Sequence, residues 1–211
     1  IDPMCGSGTL LVEAGLIAAG IAPGLMRPRF GFESWLQHDP QIWQDMLRDA
    51  RNIRHQLAEK EMPEIHGYDA SPKAVSIARE NIRRAGLEDY IRVTQRELAD
   101  LKPLTHRSDL QPGLILTNPP YGERLSEVPV IVYLYRHLGE ALKQHFHHWK
   151  VGVFTGNPDL GKAVAIRAAK QYKLYNGAIP SKLLMFDVEP EMFYRDAPKP
   201  VVSEKKNADR P

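Results

Sequence analysis

Asn118-Pro119-Pro120-Tyr121 follows the apolar run Leu114-Ile115-Leu116-Thr117, which sets a stiff polar loop at the exit of a buried strand. Asn118 offers a side-chain carbonyl acceptor. Pro119 and Pro120 remove backbone donors that would compete for it and keep the loop carbonyls aimed outward. Tyr121 adds a flat aromatic face. Such a set suits a planar amine: a guanine or adenine swung out of its stack presents an exocyclic NH2 to the acceptors and a ring to the tyrosine. An ordinary proline-rich turn uses the same residue types, so the tetrad gains its weight from two further groups.

The first is Asp2-Pro3-Met4-Cys5-Gly6-Ser7-Gly8-Thr9, a glycine-bearing turn that leads into the helix-like run from Leu10 to Ala19. Gly6 and Gly8 permit unusual backbone angles and close approach of a ligand, and a helix start presents unpaired N–H groups to an anionic or polar partner such as a carboxylate. A dinucleotide fingerprint needs three glycines at fixed offsets. Only Gly6 and Gly8 occur here, and Asp2 is placed to accept from a cation or amine, which points away from a nicotinamide dinucleotide. The second group is the strand-like Ile65-His66-Gly67-Tyr68-Asp69. Asp69 stands where doubly wound folds use an acid to accept both ribose hydroxyls, although a helix cap is an alternative use.

These groups require an alternating frame. After Asp69, Ser71 as N-cap, Pro72 in the first turn and Gly86 as the stop predict a helix. The gap between the glycine turn and Asp69 is filled by an insertion at about residues 21–62. Its helix starts at Asp39-Pro40 and carries Ile42, Trp43, Met46, Leu47, Ala50, Ile53 and Leu57 at helical spacing. Further strands are expected at 90–95, 114–117, 151–156, 172–176 and 182–188, with helices near 128–145 and 158–170. The last two strands, joined through Gly177 to Pro180, read as an antiparallel hairpin at the sheet end. This alternation is α/β. Ile1-Asp2 falls at the end of what should be the central first strand, so a fragment of a longer protein is expected, with a gap in the sheet and marginal stability in isolation. The methyltransferase domain is expected to cover residues 1–195, and 196–211 has the composition of a linker or disordered tail.

In type and order, the cradle at Asp2, the acid Asp69 and the tetrad at Asn118 resemble the amino-methylating class I S-adenosylmethionine-dependent methyltransferases. That implies a Rossmann-like mixed sheet with helices on both faces. The stretches Asp2 to Thr9, Pro28 to Trp35 and Asn118 to Leu125 are similar to the RlmL family, the methyltransferase domain of RlmL or fused RlmKL. Those enzymes methylate guanine N2 in 23S ribosomal RNA. The resemblance implies S-adenosylmethionine as cofactor, with Asp2, Met4, Gly6, Gly8 and Thr9 along its methionine part, Asp69 on the ribose and Asn118 beside the methyl group. Glu97 would meet the adenine amine, in place of the commoner Asp, with Asp100 as a substitute. Asn118, Pro119, Pro120 and Tyr121 would hold the target base, and Glu123 is a candidate proton acceptor. A preceding RNA-binding THUMP domain and, in some bacteria, a second methyltransferase behind are expected neighbours.

The net charge of +2, from 28 Lys and Arg against 26 Asp and Glu, does not by itself demand a nucleic-acid partner. The local clusters Arg27 and Arg29, Arg48, Arg51 and Arg54, and Arg79, Arg83 and Arg84 are candidates for phosphate contact or simply solvated faces. A single cysteine, Cys5, excludes an internal disulfide and suits a reducing cytoplasm. His145, His147 and His148 have no cysteine or acid at ligand spacing, and no metal is assigned. Two alternatives stay open: another amino-methyltransferase with the same tetrad, acting on DNA adenine N6 or protein glutamine N5, and a non-catalytic module that binds RNA or the cofactor.

Overall fold

The computed structural model describes residues 1–57, 62–103, 112–121 and 128–194. These form α1 (Thr9–Ala18), α2 (Pro40–Leu57), β1 (Ile65–Asp69), α3 (Pro72–Arg84), β2 (Ile91–Gln95), β3 (Leu114–Thr117), α4 (Val128–His145), β4 (Lys150–Thr155), β5 (Lys170–Asn176) and β6 (Ile179–Asp187). The segments expected at 196–211 and Glu123 to Leu125 lie outside the described residues. The chain divides into two compact units, one of residues 1–4, 68–71 and 95–211 and one of residues 5–67 and 72–94.

In the second unit, β1 pairs with β2, and α1 and α3 share a core of Leu11, Val75, Ala78, Ile82, Ile91 and Val93. Gly8 starts α1 in the left-handed region at φ 79°, and a Cβ there would lie 3.1 Å from the Ala78 Cβ, so glycine is needed for both backbone angle and packing. Pro72 opens α3 and Gly86, at φ 66°, stops it, as the sequence predicts. In the insertion, Phe30 and Phe32 pack edge-on against Trp43 of α2 at 5.4 and 4.9 Å. Further along the α2 stripe Ile42, Met46 and Ile53 are exposed, and Leu47 and Ala50 are half-buried.

In the first unit the sheet order is β3-β4-β6-β5, with β3 parallel to β4 and β6 antiparallel to both of its neighbours. Ile1 and Asp2 continue the ladder pattern. The Ile1 amine donates to the Leu114 carbonyl at 2.8 Å, Leu116 N–H donates to the Ile1 carbonyl and Tyr68 N–H donates to the Asp2 carbonyl. The core sets Tyr135, Leu138 and Leu142 of α4 against Val151, Val153, Leu184 and Phe186 of the sheet. Burial of each of these large side chains stabilises the fold by about 1.5–3 kcal/mol, and it fixes the strand ends that carry the polar residues.

Two expectations are corrected. Residues 158–170 do not form one helix. A 3₁₀ segment runs over Pro158–Val164, Ala165 turns left-handed at φ 58°, and Ile166 bridges to Phe193 before β5 begins. Leu160, Gly161, Ala163 and Val164 are all buried, so packing on more than one side overrides helical spacing there. The hairpin turn is also tighter than expected. Asn176 pairs directly with Ile179, leaving Gly177 (φ 58°) and Ala178 as the loop, with Pro180 inside β6. A close approach of α4 to the 3₁₀ segment gives a stability prediction. A Cβ on Gly139 would lie 2.0 Å from the Val164 carbonyl oxygen. Gly139→Ala is expected to destabilise the fold by about 1–3 kcal/mol, the usual cost of overpacking; an unchanged denaturation midpoint would contradict this packing.

Candidate active site

Asp2, Asp69, Glu97 and Asn118 all belong to the first unit, and three of them stand at or just past strand ends: Asp69 closes β1, Glu97 follows β2 and Asn118 follows β3. Ligands of open α/β sheets bind outside such ends. The Asp69 carbonyl accepts from Arg96 N–H at 3.0 Å, and the Arg96 guanidinium lies 4.4 Å over the Tyr68 ring, so the exits of β1 and β2 are tied together just ahead of Glu97. The Asp69 carboxylate accepts from Ser71 N–H at 2.9 Å. That contact closes a two-residue turn ahead of α3 and holds a half-buried acid at the end of β1. Glu97 and Asp100 are both exposed, and Asp100 sits one 3₁₀ turn further on.

Asp2 is 3 % exposed. Its carboxylate accepts from Met4 N–H at 3.2 Å. Burial pushes its pKa up from 3.8 to about 6, against the lowering effects of the Thr117 hydroxyl, the Met4 N–H and the Ile1 ammonium; the negative charge of Asp69 pushes the same way as burial. Thr117 Oγ1 is completely buried with no hydrogen-bond partner of normal geometry among the described residues, although it is near enough to bias Asp2. Thr117 is thus a residue that the sequence reading used only as part of a strand. A hydroxyl one position before the Asn118 tetrad was the available signal.

Asn118 is exposed, Pro119 buried, Pro120 exposed and Tyr121 half-buried. The buried proline anchors the loop while its neighbours stay accessible. The Tyr121 ring rests over Gly156, where a Cβ would come within 2.9 Å of it, and its hydroxyl accepts from Asn176 Nδ2 at 2.6 Å. Gly156 and Asn176 were not among the sequence candidates, because their contact with Tyr121 exists only once β5 and β6 have paired. Behind them the buried Tyr135 hydroxyl donates to Thr155 Oγ1 at 3.1 Å.

The glycine turn belongs to the second unit. Gly6 (φ 52°) has open space where a side chain would stand, and the Gly8 N–H donates to the Cys5 carbonyl at 2.8 Å. Asn81 Nδ2 donates to the Ser7 carbonyl at 2.9 Å, and the Ser7 and Thr9 hydroxyls are 3.1 Å apart, so the turn is held open by its own partners. Cys5 is buried in that unit's core, a small packing residue as expected. Among the described residues no three His, Cys, Asp or Glu side chains are grouped to hold a metal ion, and His148 is engaged with Glu189 at 3.1 Å.

A parallel β3–β4 pair extended by antiparallel β6 and β5, with acids at the strand exits, is the arrangement of the class I methyltransferases. The chain matches the family UPF0020, RMKL-like, methyltransferase domain, over residues 1–184, and it belongs to that family. It is 52% identical over 194 residues to the ribosomal RNA large subunit methyltransferase K/L of Cellvibrio japonicus, covering 92% of this chain and 26% of that protein. The chain therefore spans about a quarter of the length of that relative. A protein from Clostridium difficile 630 described as a possible methylase superposes with a TM-score of 0.77 at 36% identity, covering 94% of this chain and 48% of that one. SMU.472, described as a putative methyltransferase and solved in complex with SAH, superposes at 0.73 and 35% identity, covering 88% of this chain and 47% of that one. The family is one of S-adenosylmethionine-dependent methyltransferases.

Proposed function

We propose that this chain is the catalytic domain that transfers a methyl group from S-adenosylmethionine to the exocyclic N2 amine of a guanine in 23S ribosomal RNA. The observation that carries the reading is the exposed Asn118 at the exit of β3, flanked by the buried Pro119 and by a Tyr121 whose ring is fixed from two sides. Support for RNA comes from the relatives, which are described as ribosomal RNA large subunit methyltransferases K/L. The residues present fit the cofactor. A buried carboxylate with a proton affinity near neutrality suits the ammonium of its methionine part, and within the glycine turn Gly6 has open space where a side chain would stand. In this reading Met4, Gly6, Gly8 and Thr9 are assigned to the methionine part, Asp69 to the ribose and Glu97 to the adenine amine.

When bound, the cofactor supplies a methyl group on a sulfonium, an electrophile that needs no metal. A guanine N2 is a poor nucleophile because its lone pair is delocalised into the ring. Asn118 Oδ1 and the Pro119 carbonyl accept its N–H bonds, aim the nitrogen and offset the positive charge that develops as the N–C bond forms and the C–S bond breaks. Tyr121 holds the base by stacking, and Pro120 stiffens the loop. The N2 proton passes to water once the methyl group has been transferred. No covalent enzyme intermediate is required.

In this reading the parent protein carries an RNA-binding THUMP domain ahead of this domain and, where fused, a second methyltransferase behind it. It works in the cytoplasm, on RNA before or during subunit assembly. No helix among the described residues is long and apolar enough to cross a membrane.

The first test is transfer of labelled methyl groups by the full-length protein to unmodified 23S RNA, duplex DNA and a release-factor-like protein. Label confined to RNA supports the proposal; label in DNA or protein keeps the chemistry and replaces the substrate, and cofactor binding with no label leaves a binding module. Tyr121→Ala is expected to weaken RNA binding by about 1–3 kcal/mol, the value of one base–aromatic stack. Unchanged binding would make Tyr121 a structural residue.

A further inference from the structure

We infer that the β5–β6 hairpin is the arm that grips the RNA strand next to the target base, an inference that rests on RNA being the substrate. Residues 160–186 contain Lys162, Arg167, Lys170, Lys173 and Lys182 and no Asp or Glu. Every residue of β5 is exposed, including Tyr175 at 73 %. Lys173 and Lys182 stand directly opposite each other in the ladder. Like charges at opposed positions repel and destabilise a hairpin. Here Lys182 Nζ donates only to the neutral Gln171 Oε1, at 3.1 Å, among the described residues. A phosphate between the two ammonium groups turns that repulsion into attraction.

Strand alternation places Gln171, Lys173 and Tyr175 on one face of β5, with Lys182 opposite Lys173 on the same face. At its base this face opens into a cleft of about 410 Å³ lined by Lys162, Arg167, Gln171 and Lys182, with Asp159 as its one carboxylate. Asp159 is taken up by Lys162 at 2.9 Å, and Arg167 donates to the Glu191 backbone carbonyl, so the charges of Arg167 and Lys182 face the cleft without an acid partner among the described residues. Cations along a groove with an exposed tyrosine at its end match single-stranded nucleic acid, whose phosphates take the charges and whose bases stack. At the tip, Asn176 reaches Tyr121 from the other face, which makes the hairpin continuous with the proposed base pocket.

The arginine clusters that draw attention in the sequence are largely occupied. Arg83 and Arg84 pair with Glu80, Arg48 pairs with Asp45 at 2.9 Å, and Arg79 donates twice to the Val93 carbonyl. Arg167 and Lys182, by contrast, have only neutral acceptors among the described residues.

The experiment measures binding of the full-length protein to an unmodified 23S RNA transcript across a salt series. Lys173→Ala with Lys182→Ala is expected to weaken binding at least tenfold at 0.1 M salt and to reduce the slope of log K against log salt by about 1, for the one phosphate the two lysines share. Tyr175→Ala weakens binding about tenfold with the slope unchanged. Lys173→Arg with Lys182→Arg keeps the wild-type slope, and Arg83→Ala with Arg84→Ala leaves it unmoved. The double alanine variant relieves a repulsion, so its melting temperature is not expected to fall and its cofactor affinity stays at the wild-type value. An unchanged slope in that variant overturns the inference, as does a larger loss from the Arg83 and Arg84 pair. If the hairpin variants lower the slope while the modified nucleoside is not N2-methylguanine, the inference stands and the proposed target fails. If N2-methylguanine forms at the wild-type rate and slope in the hairpin variants, the target stands and the inference fails.

Discussion

Asn118→Ala is expected to reduce methyl transfer about 10²–10³-fold while leaving S-adenosylmethionine affinity near the wild-type value. The magnitude is that of removing one preorganised polar group aimed at charge that develops in the transition state. The selectivity follows from position. Asn118 is exposed beyond the end of β3, whereas the group assigned to the cofactor's ammonium is the buried Asp2 carboxylate. Truncating an exposed side chain also leaves the core intact, so the melting temperature should hold. Equal loss of cofactor affinity and transfer would place Asn118 in the cofactor cradle instead.

Asp2→Asn should separate stability from function in the opposite way. The folded-state pKa of Asp2 is raised from 3.8 to about 6, chiefly by burial. The folded protein therefore binds that proton more tightly than the unfolded chain. Its ionisation costs stability, fully above about pH 6, and the cost fades as pH falls from about 6 to below 4. Roughly two pKa units correspond to about 3 kcal/mol. Without cofactor, the Asn variant is expected to be more stable than wild type at pH 7.5 by up to about 3 kcal/mol, with the gain vanishing near pH 4. Cofactor binding should show the mirror image. Wild-type affinity falls by up to about tenfold per pH unit below 6, as the acceptor for the ammonium is neutralised, and the Asn variant binds weakly with little pH dependence. Denaturation and calorimetric titration across pH 4–8 check both halves. A variant less stable than wild type at pH 7.5 would show that the Asp2 charge supports the fold.

Most strand and helix positions were legible because they rest on short-range signals. The runs at β1, β3 and α4 are bounded by Asp69, by the proline tetrad and by periodic apolar spacing, and their observed limits agree with those read from sequence. α3 is delimited by Pro72 and Gly86 for the same reason. The 3₁₀ segment at Pro158–Val164 was not legible, because burial of Leu160 and Val164 and the contact with Gly139 are decided by tertiary packing. The α2 stripe was legible as a helix but not as a surface, since periodicity does not reveal what covers a face. At the site, the residues that act through their own chemistry were visible from type and spacing: Asp2, Asp69, Asn118 and Tyr121. Those that act through another residue were not. Asn176 is 55 positions from Tyr121, and nothing local marks it.

The most direct test of the central claim is nucleoside analysis of unmodified 23S RNA after incubation with the full-length protein and S-adenosylmethionine carrying a labelled methyl group. The account predicts the label in N2-methylguanosine for wild type and its near absence for Asn118→Ala. Label in N6-methyladenosine, or N2-methylguanosine formed equally by both proteins, would contradict it.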